Sequence, residues 1–324
     1  MVHAIRIHQY GGPEAMRWEA VDVGAPGPGE IRIRHHTVGL NYIDVYHRSG
    51  SYPLAALPAV IGMEGAGEVL AVGAGVTGLE PGDRVAYANP IGAYAEERII
   101  PAERVVKLPD AIPYQTAAAM MLQGMTAEYL LLRTFKVGPE TTLLFHAAAG
   151  GVGLIACQWA RHLGATIIGT VGSDEKAEQA RAAGCTHVIN YRRENFVERV
   201  RELTGGKGCD VVYDGIGKDT YPGSLDCLKP RGLWVSFGNA SGKIEGFDLG
   251  LLATKGSLYA TRPTLFTYIA KRDELVASAN ALFDVVARGI VTINVNQTYP
   301  LSAAADAHRD LEARRTTGST VLLP

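Results

Sequence analysis

A short apolar strand pattern, Thr141-Thr142-Leu143-Leu144-Phe145, runs into Gly150-Gly151-Val152-Gly153 and then into a helical stretch. In that stretch Val152, Ile155, Ala156, Trp159, Ala160 and Leu163 recur at helical spacing. A strand, a glycine turn and a helix in that order leave the first N–H groups of the helix unpaired. The positive end of the helix dipole lies at the same place, so the turn can hold a diphosphate. Gly150 and Gly151 let the backbone approach phosphate oxygens, and Gly153 lets the helix pack tightly on the sheet. Ala148 stands where the first glycine of a G-x-G-x-x-G fingerprint would be.

The residues that follow give the motif its force. A strand from Thr166 to Val171 precedes a helix from about Asp174 to Ala183, with Ser173 as N-cap and Gly184 at its stop. The alternation continues with strand His187 to Asn190, helix Glu194 to Leu203 and strand Cys209 to Tyr213. It goes on with helix Lys218 to Leu228 and strand Leu233 to Phe237. Strands separated by helices make right-handed crossovers and a parallel sheet. The spacing therefore predicts a doubly wound dinucleotide-binding domain of the Rossmann type.

An NAD site wants a carboxylate at the tip of the second strand to accept from the ribose 2′-hydroxyl. Here the strand ends Thr170-Val171-Gly172-Ser173, with no acid at the tip. Ser173 and Lys176 can hold a 2′-phosphate, with the Tyr191 ring against the adenosine. That pattern predicts NADPH over NADH. Asp174 and Glu175 pull the local charge the other way, and the alternative for Lys176 is a solvated helix residue.

Before the glycine turn the rhythm is different. Residues 1 to about 122 alternate short apolar runs such as Ile31-Arg32-Ile33-Arg34 and Gly67-Glu68-Val69-Leu70-Ala71-Val72-Gly73 with turn signals. That pattern argues for a small β-barrel or sandwich. Gln115 to Leu132 reads as helical, and the tail from about Arg262 carries helical patterns before a final strand, Thr320-Val321-Leu322-Leu323. The chain of 324 residues is long enough for two cores. Glycine, 38 of 324 residues or roughly 12% against a usual ~7%, fits many tight turns. A net charge of −2 gives no footprint for nucleic acid as the main ligand. No signal peptide and no apolar run near the length of a membrane span is visible. The four cysteines, Cys157, Cys185, Cys209 and Cys227, form no CxxC pair and read as buried, inert thiols of a cytoplasmic protein.

A barrel joined to such a sheet resembles the medium-chain dehydrogenase/reductase superfamily over the whole chain. Zinc alcohol dehydrogenases of that superfamily carry G-H-E-x-x-G; this chain has Gly62-Met63-Glu64-Gly65-Ala66-Gly67. Methionine replaces the imidazole, the early cysteine ligand is absent from Asn41-Tyr42-Ile43-Asp44, and no cysteine precedes Cys157. The four clustered cysteines of the structural zinc lobe are missing too, so no metal is expected. Without a Lewis acid, hydride delivery to an already electrophilic acceptor is the easier chemistry.

The segments Asn41 to Pro53, Ala147 to Ala160, Val235 to Gly242 and Gly256 to Pro263 are similar to NADPH:quinone oxidoreductases of the zeta-crystallin type. The resemblance implies a GroES-like catalytic domain over 1–122, completed by 263–324, and a Rossmann NADPH-binding domain over 123–262. It implies that Asn41, Ile43 and Tyr46 line the nicotinamide and substrate pocket, with Asn41, Tyr46 and Tyr52 as the catalytic candidates. Thr126 would sit near the nicotinamide ribose, Gly150 through Gly153 at the diphosphate, and Gly172, Ser173, Lys176 and Tyr191 at the 2′-phosphate end. Phe237, Gly238, Asn239 and Ser241, then Thr261 and Arg262, would border the nicotinamide half, with Arg314 closing from the tail. From the residues alone, Tyr46 and Tyr52 can also be packing aromatics, Asn41 a turn residue, and Arg314 a cation at a helix C-terminus.

The implied activity is hydride or one-electron transfer from NADPH to quinones in a cleft between the domains, without zinc. Two alternatives stand beside it: an enone, alkenal or enoyl-thioester reductase, and an NADPH-responsive RNA-binding or crystallin-like structural protein. The family also implies a homodimer paired through an edge strand near Leu258-Tyr259.

Overall fold

In the computed structural model, which describes residues 1–324, six parallel strands build the sheet that the alternation predicts. They are Thr142–Phe145, Thr166–Val171, His187–Asn190, Cys209–Asp214, Leu228–Ser236 and Tyr259–Thr261. Counted along the chain, their spatial order is 3-2-1-4-5-6, and every neighbouring pair is parallel. The order reverses beside the first strand, so two crossovers leave it in opposite directions and open a crevice at the carboxyl ends. Leu144, Ile168 and Val212 are buried in three adjacent strands and pack with Val200 and Trp234 into one core. The third strand matches its expected limits, because an apolar run bounded by polar turn residues has few other places to go.

Two expected helices come out differently. Lys218 to Leu228 is helical only over Gly223–Asp226, and the next strand already begins at Leu228. Asp214 decides this: its carboxylate accepts from the N–H groups of Ile216 and Gly217 and from the Thr220 hydroxyl, which turns the chain. Pro222, with no N–H to give, adds to the break. Gln115 to Leu132 is divided into Tyr114–Ala118 and Met121–Glu128, followed by a wider π-turn over Tyr129–Thr134.

The β-rich part centres on the long strand Glu30–Leu40. Ile31 and Ile33 are buried beneath it, while Arg32 and Arg34 both bond the Glu97 carboxylate on the neighbouring strand Glu97–Pro101. Glu64–Val72 pairs antiparallel with it on one side and Ser319–Leu323 on the other. Val295–Pro300, in a tail expected to be helical, is a strand parallel to Ser319–Leu323. Its residues alternate between half-buried and exposed with little apolar weight, which hides a strand from a hydrophobic pattern. A smaller sheet joins Met16–Val21, Val2–Ile7 and Ala59–Val60.

Chain contacts divide the molecule into two units. One comprises Met1–Met125, Ile269–Ala287 and Ile293–Pro324; the other comprises Thr126–Tyr268 and Arg288–Thr292. No helix is long and apolar enough to cross a membrane.

Candidate active site

The helix Gly151–His162 starts directly behind the first parallel strand, and no side chain caps its N-terminal Gly150. Its leading N–H groups therefore face outward for an anion. Gly153 permits this turn: a Cβ there would lie 2.4 Å from the Ala147 carbonyl oxygen and 2.7 Å from that of Ala148. Ala148, in the place of the first glycine, is fully buried, and Gly169 of the next strand makes room for its methyl group.

At the second strand, Ser173 caps the helix Asp174–Ala182, its hydroxyl accepting from Lys176 N–H at 3.3 Å. Lys176 is half-buried on the first turn, and the exposed Tyr191 at the end of the third strand has its hydroxyl over Gly172. Asp174, whose charge argued against a 2′-phosphate, is ion-paired to Arg193 at 2.6 Å and accepts from Asn190 Nδ2 at 2.9 Å. Its charge is thus met by the protein. Arg193 escaped the sequence reading because it lies two residues past Tyr191, where no dinucleotide fingerprint looks.

Beyond the fourth and fifth strands, two loops run side by side. Phe237 N–H donates to Asp214 O, Ala240 N–H to Gly215 O and Ser241 N–H to Ile216 O. The Ser241 hydroxyl donates to Ile216 O and accepts from Asp219 N–H, so its polar atoms hold the loops together. Phe237 lies 5.8 Å from the Phe145 ring, between centroids. Gly238 follows it, and the next residue, Asn239, presents Oδ1 to Arg262 Nη2 at 3.3 Å. Thr261 ends the sixth strand, in register with Val235, and Thr126 is buried on the helix Met121–Glu128. The proposed cofactor residues Gly150 to Gly153, Gly172, Ser173, Lys176, Tyr191, Phe237 to Ser241, Thr261 and Arg262 all lie at the carboxyl ends of parallel strands.

In the β-rich unit, Asn41 ends the long strand and starts the helix Tyr42–Ser49. Its N–H donates to Asp44 Oδ2 at 2.9 Å, which satisfies one donor at the helix start. Burial pushes the Asp44 carboxyl up to about 7. The helix carries Ile43 and Tyr46; the Tyr46 ring lies 5.0 Å from Tyr52 and 5.4 Å from Tyr42. Arg314, exposed just past the helix Ala304–Glu312, takes a left-handed φ of 59°. Its charge opposes the rise that burial causes in the Tyr42 phenol, so it stands near the same helix.

Met63 is buried at the position of the imidazole ligand, and Glu64 beside it accepts from Asn41 Nδ2 and Leu122 N–H. No group of three or more His, Cys, Asp or Glu is arranged to hold an ion, and all four cysteines lie in the other unit. These residues do not fit zinc.

Residues 27–110 match the alcohol dehydrogenase GroES-like domain, and residues 151–270 match the zinc-binding dehydrogenase family. The chain is 54% identical to a quinone oxidoreductase of Pseudomonas aeruginosa, over all of both chains. The chain belongs to the quinone oxidoreductases of the medium-chain dehydrogenase/reductase superfamily. Among solved structures of this family it is similar to Escherichia coli quinone oxidoreductase complexed with NADPH, with a TM-score of 0.98 and 50% identity. That match covers 99% of this chain and 100% of the other. A 2-haloacrylate reductase of Burkholderia sp is 50% identical over 100% of this chain and 99% of its own. The quinone oxidoreductase fold thus comprises the GroES-like and Rossmann-type parts expected from the sequence.

Proposed function

We propose that this chain is an NADPH-dependent quinone reductase that needs no zinc. One observation carries the reading: the cofactor candidates of the Rossmann-type unit converge on the carboxyl ends of a sheet ordered 3-2-1-4-5-6. Full-length identity to quinone oxidoreductases and the NADPH complex of one relative support it. The bare helix start at Gly150 and the cation Lys176 beside Ser173 fit the diphosphate and the 2′-phosphate of NADPH. The zinc-free part rests on Met63 and on the occupied Glu64 carboxyl.

When bound, the dihydronicotinamide supplies a hydride, which with one proton converts a quinone to a hydroquinone. The chain's own part is alignment and polarisation. Tyr46 and Tyr52 offer ring faces to a planar acceptor, and Asn41 offers amide polarity to its oxygen. Residues 1–122 with 263–324 form the catalytic part and 123–262 the NADPH-binding part.

The 2-haloacrylate reductase relative favours a second reading, reduction of a conjugated carbonyl on the same scaffold. Steady-state oxidation of NADPH and NADH against a panel of quinones and enones decides between them, with metal analysis of the same sample. No acceleration by any quinone rejects the first reading.

A homodimer in the cytoplasm completes the proposal. The edge strand Tyr259–Thr261 has an open side, and its Tyr259 is 62% exposed. A monomer mass in light scattering rejects the dimer.

A further inference from the structure

Glu64 begins the strand Glu64–Val72 opposite Gly39, and its carboxyl is wholly buried. Gly39 makes the space: a Cβ there would lie 2.5 Å from Glu64 Oε2 and 2.2 Å from the Ala118 carbonyl oxygen. Glu64 Oε1 accepts from Leu122 N–H at 2.9 Å, and Oε2 stands 2.6 Å from Asn41 Nδ2. On its other side the Asn41 amide meets Gln123, with Nε2 3.1 Å from Oδ1. Gln123 Oε1 is 2.8 Å from Ser319 Oγ, which is also 2.9 Å from the Ala119 carbonyl oxygen.

This buried row has two hydrogen-bonding patterns. In the first, the Asn41 side chain also accepts from Asp44 N–H at the helix start; in the second, that N–H keeps the Asn41 backbone oxygen. With Glu64 ionised, Asn41 Nδ2 donates to Glu64, Gln123 Nε2 donates to Asn41 Oδ1, and the Ser319 hydroxyl donates to Gln123 Oε1. With a proton on Glu64, both amides can turn over. Glu64 then donates to Asn41 Oδ1, Asn41 Nδ2 to Gln123 Oε1, Gln123 Nε2 to Ser319 Oγ, and the hydroxyl to Ala119 O. Ser319 Oγ lies almost equally far from its two acceptors, so either ending is met without movement. A mixed pattern would face like groups at each other in a site that water does not reach.

We propose that Glu64 is a positioning residue for the reduction, with Gln123 as its counterpart: together they clamp the Asn41 amide, and the proton on Glu64 sets which way it points. This rests on the reading that Asn41 borders the acceptor. An oxygen that gains negative charge during reduction is stabilised by an N–H and not by a C=O, so the two orientations differ for catalysis. The carboxyl is well placed to change state near neutrality. It is pushed up to about 8, chiefly by burial; the bonds from Asn41 and Leu122 oppose the rise and Asp44 on the helix Tyr42–Ser49 adds to it. Tyr87, on strand Arg84–Tyr87, and Tyr94 are the other titratable groups around it, with His35 and Arg98 bonded to Tyr87.

The test measures kcat/KM for 1,4-benzoquinone at saturating NADPH from about pH 6 to 9.5. The wild-type value is expected to change at least about fivefold through one inflection. In Glu64→Gln the Leu122 N–H claims the amide oxygen, so the new N–H₂ faces Asn41 and one orientation is frozen. The change over the same range then falls below about twofold. Glu64→Met removes the titrating carboxyl altogether and should remove the inflection as well, which covers a Glu64→Gln that fails to fold. A flat wild-type profile, or an inflection that survives in whichever variant folds, overturns the positioning role. Asn41→Ala separates the two levels. If it leaves quinone kcat/KM within about twofold of wild type, Asn41 does not border the acceptor and the proposal falls with that reading. If it costs about tenfold or more while Glu64→Gln keeps the inflection, only the role of Glu64 is lost.

Discussion

At Gly153 a single methyl group decides whether the diphosphate turn can close. Gly153→Ala drives its Cβ into the Ala147 carbonyl oxygen, 2.4 Å away, and backbone cannot give way as a side chain tip can. The expected cost is about 1–3 kcal/mol of stability, read as a lower Tm, together with weaker NADPH binding by titration. On the proposed function, Lys176 would meet the 2′-phosphate of the cofactor. Removing one charge-assisted contact of about 1.5–3 kcal/mol predicts a roughly ten- to hundredfold higher Kd for NADPH in Lys176→Ala. NADH, without the 2′-phosphate, should bind that variant as it binds the wild type. Equal losses for both cofactors would place Lys176 away from the phosphate.

The helix Tyr42–Ser49 is held by a buried chain of hydrogen bonds that leads to the helix Ala304–Glu312. Arg48 is an obligate donor, so its Nη1, 3.0 Å from His308 Nδ1, makes that nitrogen the acceptor. His308 Nε2 then donates to the Tyr94 hydroxyl at 3.1 Å, and Tyr94 donates to Asp44 Oδ2 at 3.1 Å. Arg48 also forks onto both Glu312 oxygens, at 2.8 and 2.9 Å. Arg48→Met strands the His308 nitrogen and the Gly11 carbonyl, and the expected loss is about 3 kcal/mol in denaturant unfolding. A loss under about 1 kcal/mol would mean that water replaces the guanidinium.

The sequence marked Asn41 as a pocket or turn residue but showed no helix after it, because Tyr42–Ser49 sits in a stretch dominated by strand and turn signals. Its tertiary partners were not legible either. Glu64 reaches Asn41 only because the register sets Gly39 opposite Glu64, and strand register has no local signal. The parallel strands were readable for the opposite reason: their apolar runs are buried on both faces and bounded by turns. Lys218 to Leu228 misled because one carboxylate, Asp214, outweighs the helical pattern of a dozen residues.

Over the whole molecule, buried titrating groups set a stability maximum near pH 6.5. Burial holds Asp44 up to about 7 and Glu64 up to about 8, so the folded chain keeps protons that the unfolded chain releases near pH 4. Stability from these carboxyls is therefore fully present at low pH and is withdrawn as pH rises through 7 and 8. His35 and His308 are lowered to about 3 and His47 to about 4, all by burial. The unfolded chain takes up those protons below about pH 6.5, so stability also falls on the acid side. A Tm that peaks between about pH 6 and 7 is expected, with a shallower alkaline fall in Glu64→Gln. A Tm rising steadily from pH 6 to 9 would contradict it.

The strand Ser319–Leu323 closes the β-rich unit against Glu30–Leu40. On the ribosome, residues 1–125 must therefore wait, sheet edge bare, until Ser319–Leu323 has been made. The Rossmann-type unit, whose last strand ends at Thr261, is expected to mature first. Proteolysis of chains arrested before Ser319 should spare the Rossmann-type core and digest the segment ahead of it.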